Sequence, residues 1–115
     1  MNKFAILTGL AALASSAIVH AAAPTLPEES YAREQEKLIF NAPIAGIQNS
    51  LWFDYRIDVM EAQKELASDL RRASDLEDQR DAWEEYGDEL RKERKHYVKQ
   101  MAKRGYRQGT VTVGS

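Results

Sequence analysis

Two histidines, no cysteine and 18 acidic residues bound the chemistry open to this 115-residue chain. Without cysteine there are no thiolate nucleophiles, no disulfides, no thiolate metal sites and no lipid attachment through sulfur. His20 falls in an expected leader, which leaves His96 inside RKERKHYVKQ, residues 91–100. Its cationic neighbours oppose its protonation, and it is read as a surface histidine. Glu93, one helical turn earlier, is the only second ligand at a useful spacing, and Lys92, Lys95 and Lys99 repel a metal ion. Haem ligation by His96 with Met101 is excluded, because residues five apart on a helix cannot face one iron from opposite sides.

The acid run Asp81, Glu84, Glu85, Asp88 and Glu89 places carboxylates one turn apart, a spacing that can chelate a hard cation but more commonly marks a solvated helix face. Paired carboxylates for glycoside hydrolysis need a cleft, which a slim helical protein does not offer. No Gly-rich phosphate loop and no Gly-x-Ser-x-Gly elbow occur. The expectation is a protein that is not an enzyme and uses no cofactor, metal or small-molecule substrate.

A basic run follows the acidic one: Arg91, Lys92, Arg94, Lys95, Lys99, Lys103, Arg104 and Arg107. These residues suit the C-terminal end of a helix, whose exposed carbonyls favour cations. Lys99, Lys103, Arg104 and Arg107 lack acids one turn before them and are the candidate contacts to an anionic surface, at about 1 kcal/mol per basic residue near charged lipid. The overall formal charge of −2 gives no reason to expect nucleic acid as a partner.

The elements that must position these groups begin after residue 21. MNKFAILTGLAALASSAIVHAAAP has one positive charge, a 16-residue uncharged run from Phe4 to Val19, and small residues before Pro24. That is the layout of a secretory signal peptide, too short to span a bilayer. Val19-His20-Ala21 fits a small-x-Ala cleavage pattern, with the cut after Ala21 and the mature chain exported to the periplasm of a bacterial envelope; secretion is the alternative. Residues 22–27 are expected to be a flexible lead-in and 105–115 a disordered tail.

Between them the chain is expected to be an all-α domain, 28–104. EESYAREQEKLIF suits a short helix over 28–40, broken by Asn41-Ala42-Pro43. A second helix, 43–73, opens at Pro43 and carries Ile47, Leu51, Tyr55, Val59, Ala62, Leu66, Leu70 and Ala73 at spacings of three and four. A third, 75–104, carries Leu76, Trp83, Tyr86, Leu90, Tyr97 and Met101.

Whether the last two are one helix or two turns on RRASDLEDQRDAW, residues 71–83. Ser74 and Glu77 have capping-box spacing, and the flanking Arg71-Arg72 and Asp75-Glu77-Asp78 complement a helix end and a helix start. Against a turn, no Gly or Pro occurs there, and a heptad register runs through Val59, Leu66, Ala73, Leu76, Trp83, Leu90 and Tyr97. That register also puts Asp69, Arg80, Gly87 and Arg94 on the seam, which suits a coiled coil poorly. The preferred reading is a long antiparallel hairpin turning near Ser74, completed by the short helix into a small three-helix bundle; the alternative is one continuous long helix. Folded back, Asp54, Asp58 and Glu61 would lie near the basic end of the third helix.

One feature exceeds what a hairpin needs. Trp52, Phe53, Ile57 and Met60 add apolar surface beyond the core pattern, to be covered by the short helix or by another protein. With the catalytic inventory so thin, the chain is expected to act by protein–protein contact, as an adaptor, chaperone-like binder or inhibitor, with an unidentified envelope protein or itself as partner. A self-associating coiled-coil module and a peripheral anionic-membrane binder are the alternatives.

Overall fold

The computed structural model describes residues 25–107. The expected signal peptide, the first half of the lead-in (22–24) and the tail from 108 lie outside the described residues. Those described are all-helical: α1 (Pro27–Lys37), a 3-10 turn (Ile44–Gly46), α2 (Ser50–Arg72) and α3 (Leu76–Lys103). No helix among them is long and apolar enough to cross a membrane.

α3 is the spine. α2 packs along it antiparallel, as the pairing of Tyr55 with Tyr97 and of Asn49 with Met101 requires. α1 lies along α3 in the same direction as α3, joined by Arg80 to Glu28, Tyr31 to Asp88 and Arg94 to Gln35. α1 and α2 are thus both fixed chiefly to α3. The core takes Trp52, Tyr55, Val59 and Ala62 from α2, and Ala82, Trp83, Tyr86, Leu90, Tyr97 and Met101 from α3. Ala32 joins it from α1 and Ile44 from the connection. Burial of these aromatic rings, each worth a few kcal/mol, is the main stabilising term in a chain without disulfides.

The chain reverses at Ala73-Ser74-Asp75. Asp75, not Ser74, is the cap: the Asp78 N–H donates to Asp75 Oδ1 at 2.8 Å, and Ser74 donates its N–H and its hydroxyl to Asp78 Oδ2, both at 3.1 Å. The capping box therefore runs one residue later than Ser74/Glu77 would place it. A carboxylate at the cap and another at the third helical position complement the positive helix end better than a hydroxyl does. Asp75→Ala should cost about 1 kcal/mol and Asp78→Ala a similar amount, whereas Glu77→Gln should change stability by less than about 0.5 kcal/mol; urea unfolding of the three variants measures this.

Four boundaries differ from expectation. The short helix stops at Lys37 rather than 40. Pro43 does not open the second helix but is extended, at φ −68° and ψ 148°. Ala45 and Gly46 then sit at φ 57° and φ 72°, left-handed conformations that no helix can continue through. Asn49 becomes the cap of α2, accepting the Trp52 N–H at 3.1 Å. At the far end, Gly105 (φ 90°) and Tyr106 donate to the carbonyls of Ala102 and Met101 at 2.9 Å each. This paired C-terminal motif fixes Tyr106 against the core, so the start of the expected disordered tail is ordered. At the other terminus, Leu26 packs on the core and Pro27 is the first helical residue, which shortens the lead-in.

Candidate functional site

The connection between α1 and α2 is held by two phenols. Tyr97, buried from α3, accepts the Ile44 N–H at 2.9 Å, and Tyr55, from α2, accepts the Phe40 N–H at 3.1 Å. Their rings stack at 4.8 Å, Phe40 meets both edge-on at 5.8 and 5.5 Å, and Trp52 closes the cluster 5.9 Å from Tyr97. Burial pushes both phenols above their ordinary titration range, so they remain neutral hydrogen-bonding groups. Trp52 is therefore core, 4% exposed, and drops out of the expected interaction surface. Its indole packs against the Tyr55 and Tyr97 rings, a use that the periodic pattern, centred on Leu51 and Tyr55, does not show.

With α2 held in this way, Phe53, Ile57 and Met60 are 46, 52 and 52% exposed. At about 100° per residue they form one strip on α2 opposite its packed face, with Ile57 at the edge next to the α2–α3 groove. α1 does not cover it, because α1 is committed to α3 at Gly87 and Asp88. Leu38 and Leu76, 50 and 56% exposed, stand apart, one in the connection and one in the first turn of α3. Arg56, on one flank of the strip, lies 5.6 Å over the Trp52 ring. On the other flank are Asp54 and Glu61.

The basic candidates Lys99, Lys103 and Arg104 are exposed over the last turns of α3, and Arg107 follows beyond its end. Antiparallel pairing puts them at the same end of the molecule as the strip. Among the described residues no ion pair joins Lys99, Lys103 or Arg104 to α2. Instead, Asp54 and Asp58 share a groove of about 310 Å³ with Glu93, the one acid of the basic run, with Leu51, Tyr55, Ile57 and Tyr97 as its apolar lining and His96 beside them. Lys92, Lys95 and Lys99 turn to solvent. Burial pushes the Glu93 carboxyl up to about 8, helped by the nearby Glu89 and Asp58 carboxylates.

Glu93 is not the only acid on this edge. Farther along the same edge, Glu65, Asp69, Glu85 and Glu89 line a second groove, and Asp69, Asp78, Asp81 and Glu85 a third. Glu65, Asp69 and Glu85 bring carboxylate oxygens within 4.8 Å of one another, a spacing that could hold a cation, although exposed acids commonly meet without one. Of the expected acid run, Glu85 thus meets carboxylates across the hairpin, while Asp88 takes the Tyr31 hydroxyl at 2.7 Å. His96 has no pair of ligands converging with it among the described residues.

Comparison of the chain with protein-family models, curated proteins and solved structures returns no match.

Proposed function

We propose that this chain is an exported, non-catalytic helical protein of the bacterial envelope that acts by direct contact with another protein. In this reading the signal peptide is cleaved after Ala21, the mature chain works in the periplasm, and the strip of Phe53, Ile57 and Met60 is the contact surface. The observation that carries it is the exposure of those three side chains on one helix while the same helix buries Trp52, Tyr55, Val59 and Ala62. A helix that already has a packed face does not need a second apolar strip for its own folding, and a contiguous exposed apolar patch commonly marks an interaction site.

Self-association has no matching support in charge: an antiparallel pairing of two α2 strips would set the Asp54 and Glu61 flank of one copy against the same flank of the other. The basic end of α3 adds a secondary contact to anionic surfaces through Lys99, Lys103, Arg104 and Arg107.

The test is a triple substitution, Phe53→Ser, Ile57→Ser and Met60→Ser, examined by circular dichroism, light scattering and binding of a solvent-sensitive apolar dye. The expected outcome is a folded monomer that binds the dye, and a variant of equal helicity whose dye signal falls at least about threefold. A wild-type protein that is a stable dimer, and that the triple variant turns into a monomer, would move the strip to self-association. Dye binding unchanged by the substitutions would remove the strip from the proposal.

A further inference from the structure

The edge of the α2–α3 pair that α1 leaves open is lined on both sides by carboxylates. Gly87, where α1 crosses, lies about 200° around α3 from Glu85, so α1 cannot screen this edge. At its level nearest the aromatic cluster, Glu93 is half-buried between the helices, with Asp54 and Asp58 across the groove on α2 and Glu89 one turn back on its own helix.

Cations offer it little relief. Arg94 donates to Gln35 of α1, and Lys92 sits 3.7 Å from Glu89 at an exposed position. His96 is the one residue of the groove's lining that can become a cation. The Tyr55 and Tyr97 hydroxyls, which also face this level, accept the Phe40 and Ile44 amides. Three carboxylates with one half-buried among them cannot all be ionised without strong mutual repulsion, whereas one retained proton turns repulsion into a hydrogen bond.

We propose that Glu93, Asp58 and Glu89 form a proton-operated latch: a shared proton closes this edge of the hairpin, and its loss loosens the edge beside the aromatic cluster. The high affinity of Glu93 for its proton, with a midpoint near 8, agrees with that geometry. The sign follows from linkage. The folded state holds a proton that the unfolded chain releases near 4.5, so the latch contributes fully below about 4.5 and is lost as pH rises toward 8. An exported protein meets the external pH more directly than a cytoplasmic one, which gives such a latch a use.

Thermal unfolding of the purified protein between pH 5 and 8.5, alongside Glu93→Gln, Asp58→Asn and the α1 control Glu34→Gln, tests the latch. The wild-type midpoint should fall by about 5 °C or more across the range. Glu93→Gln, which keeps the hydrogen-bonding group without the charge, should melt above wild type at pH 8.5 and lose most of that slope. Asp58→Asn should reduce the slope, and Glu34→Gln should keep it. A Glu93→Gln slope equal to wild type overturns the proposal. Carbon-13 NMR titration of the Glu93 side chain in the unmutated protein gives a second reading that does not depend on any variant folding: a midpoint above 7 is expected, and one below 5 overturns the latch.

Discussion

Replacing Gly87 by leucine should release α1 from α3 and cost more stability than any other single change outside the aromatic cluster. A Cβ at this position would lie 2.5 and 2.7 Å from the Tyr31 ring and 3.2 Å from the Ala32 Cα. The ring cannot simply swing away, because its hydroxyl donates to Asp88 at 2.7 Å and Ala32 behind it is fully buried. In an ordinary helix interior, Gly→Ala gains about 1 kcal/mol of propensity. Here Gly87→Ala should instead lose about 1 to 2 kcal/mol, the overpacking cost exceeding that gain.

Leucine extends well past the ring, and no repacking of Tyr31 accommodates it. The docked contacts then fail together: Arg80 with Glu28, Tyr86 with Glu36 at 2.6 Å, Arg94 with Gln35, and Arg33 over the Trp83 ring at 4.6 Å. The predicted result is rapid proteolysis within residues 27–37 while α2 and α3 remain protected, together with a thermal midpoint lowered by about 10 °C or more. Unchanged protection of α1 in Gly87→Leu would mean that the close crossing does not hold it.

The second large effect lies at Tyr97. Its side chain is 1% exposed, it stacks on Tyr55, and among the described residues it is the acceptor for the buried Ile44 amide. Tyr97→Phe keeps the ring and orphans that amide, which should cost about 1 to 2 kcal/mol. Tyr97→Ala also empties the centre of the aromatic cluster, at about 3 to 5 kcal/mol, which is most of the stability of a domain this small. Tyr55→Phe should cost less, since the Phe40 amide it accepts is only partly buried. Urea unfolding ranks the three variants, and Trp52 fluorescence should shift to longer wavelength first in Tyr97→Ala.

Part of this architecture could be read from the residues alone, for definite physical reasons. Tyr55, Val59, Ala62, Trp83, Tyr86, Leu90, Tyr97 and Met101 recur at helical spacing, and all are buried. Burying a face is what helical periodicity encodes, so the all-α class was legible. The charges around Ser74 marked a helix end and a helix start, but which acceptor would cap α3 was decided by competition between neighbouring groups, and Asp75 prevailed over Ser74.

Other features depend on contacts that no local pattern carries. Gly87 counts against a coiled-coil seam, and it does so correctly, because that face of α3 receives α1 rather than a second long helix. Pro43 looked acceptable as a first helical residue; Ala45 and Gly46 deny it that place, and Asn49-Ser50 is the cap signal that could have moved the start of α2. Trp52 looked equivalent to Phe53, yet it is buried against the Tyr55 and Tyr97 rings while its neighbour is left exposed. Glu93 was legible only as an odd acid among bases, since its partners Asp54 and Asp58 come from the other arm of the hairpin.

We propose above that Phe53, Ile57 and Met60 meet another protein in the envelope. The most direct test of that contact is a photo-crosslinking amino acid placed at Ile57 in cells, with Glu84 on α3 as the comparison position. The expected result is a discrete adduct from position 57, of a mass that is not twice that of this chain, and none from position 84. No adduct from position 57, or the same diffuse products from both positions, would contradict it.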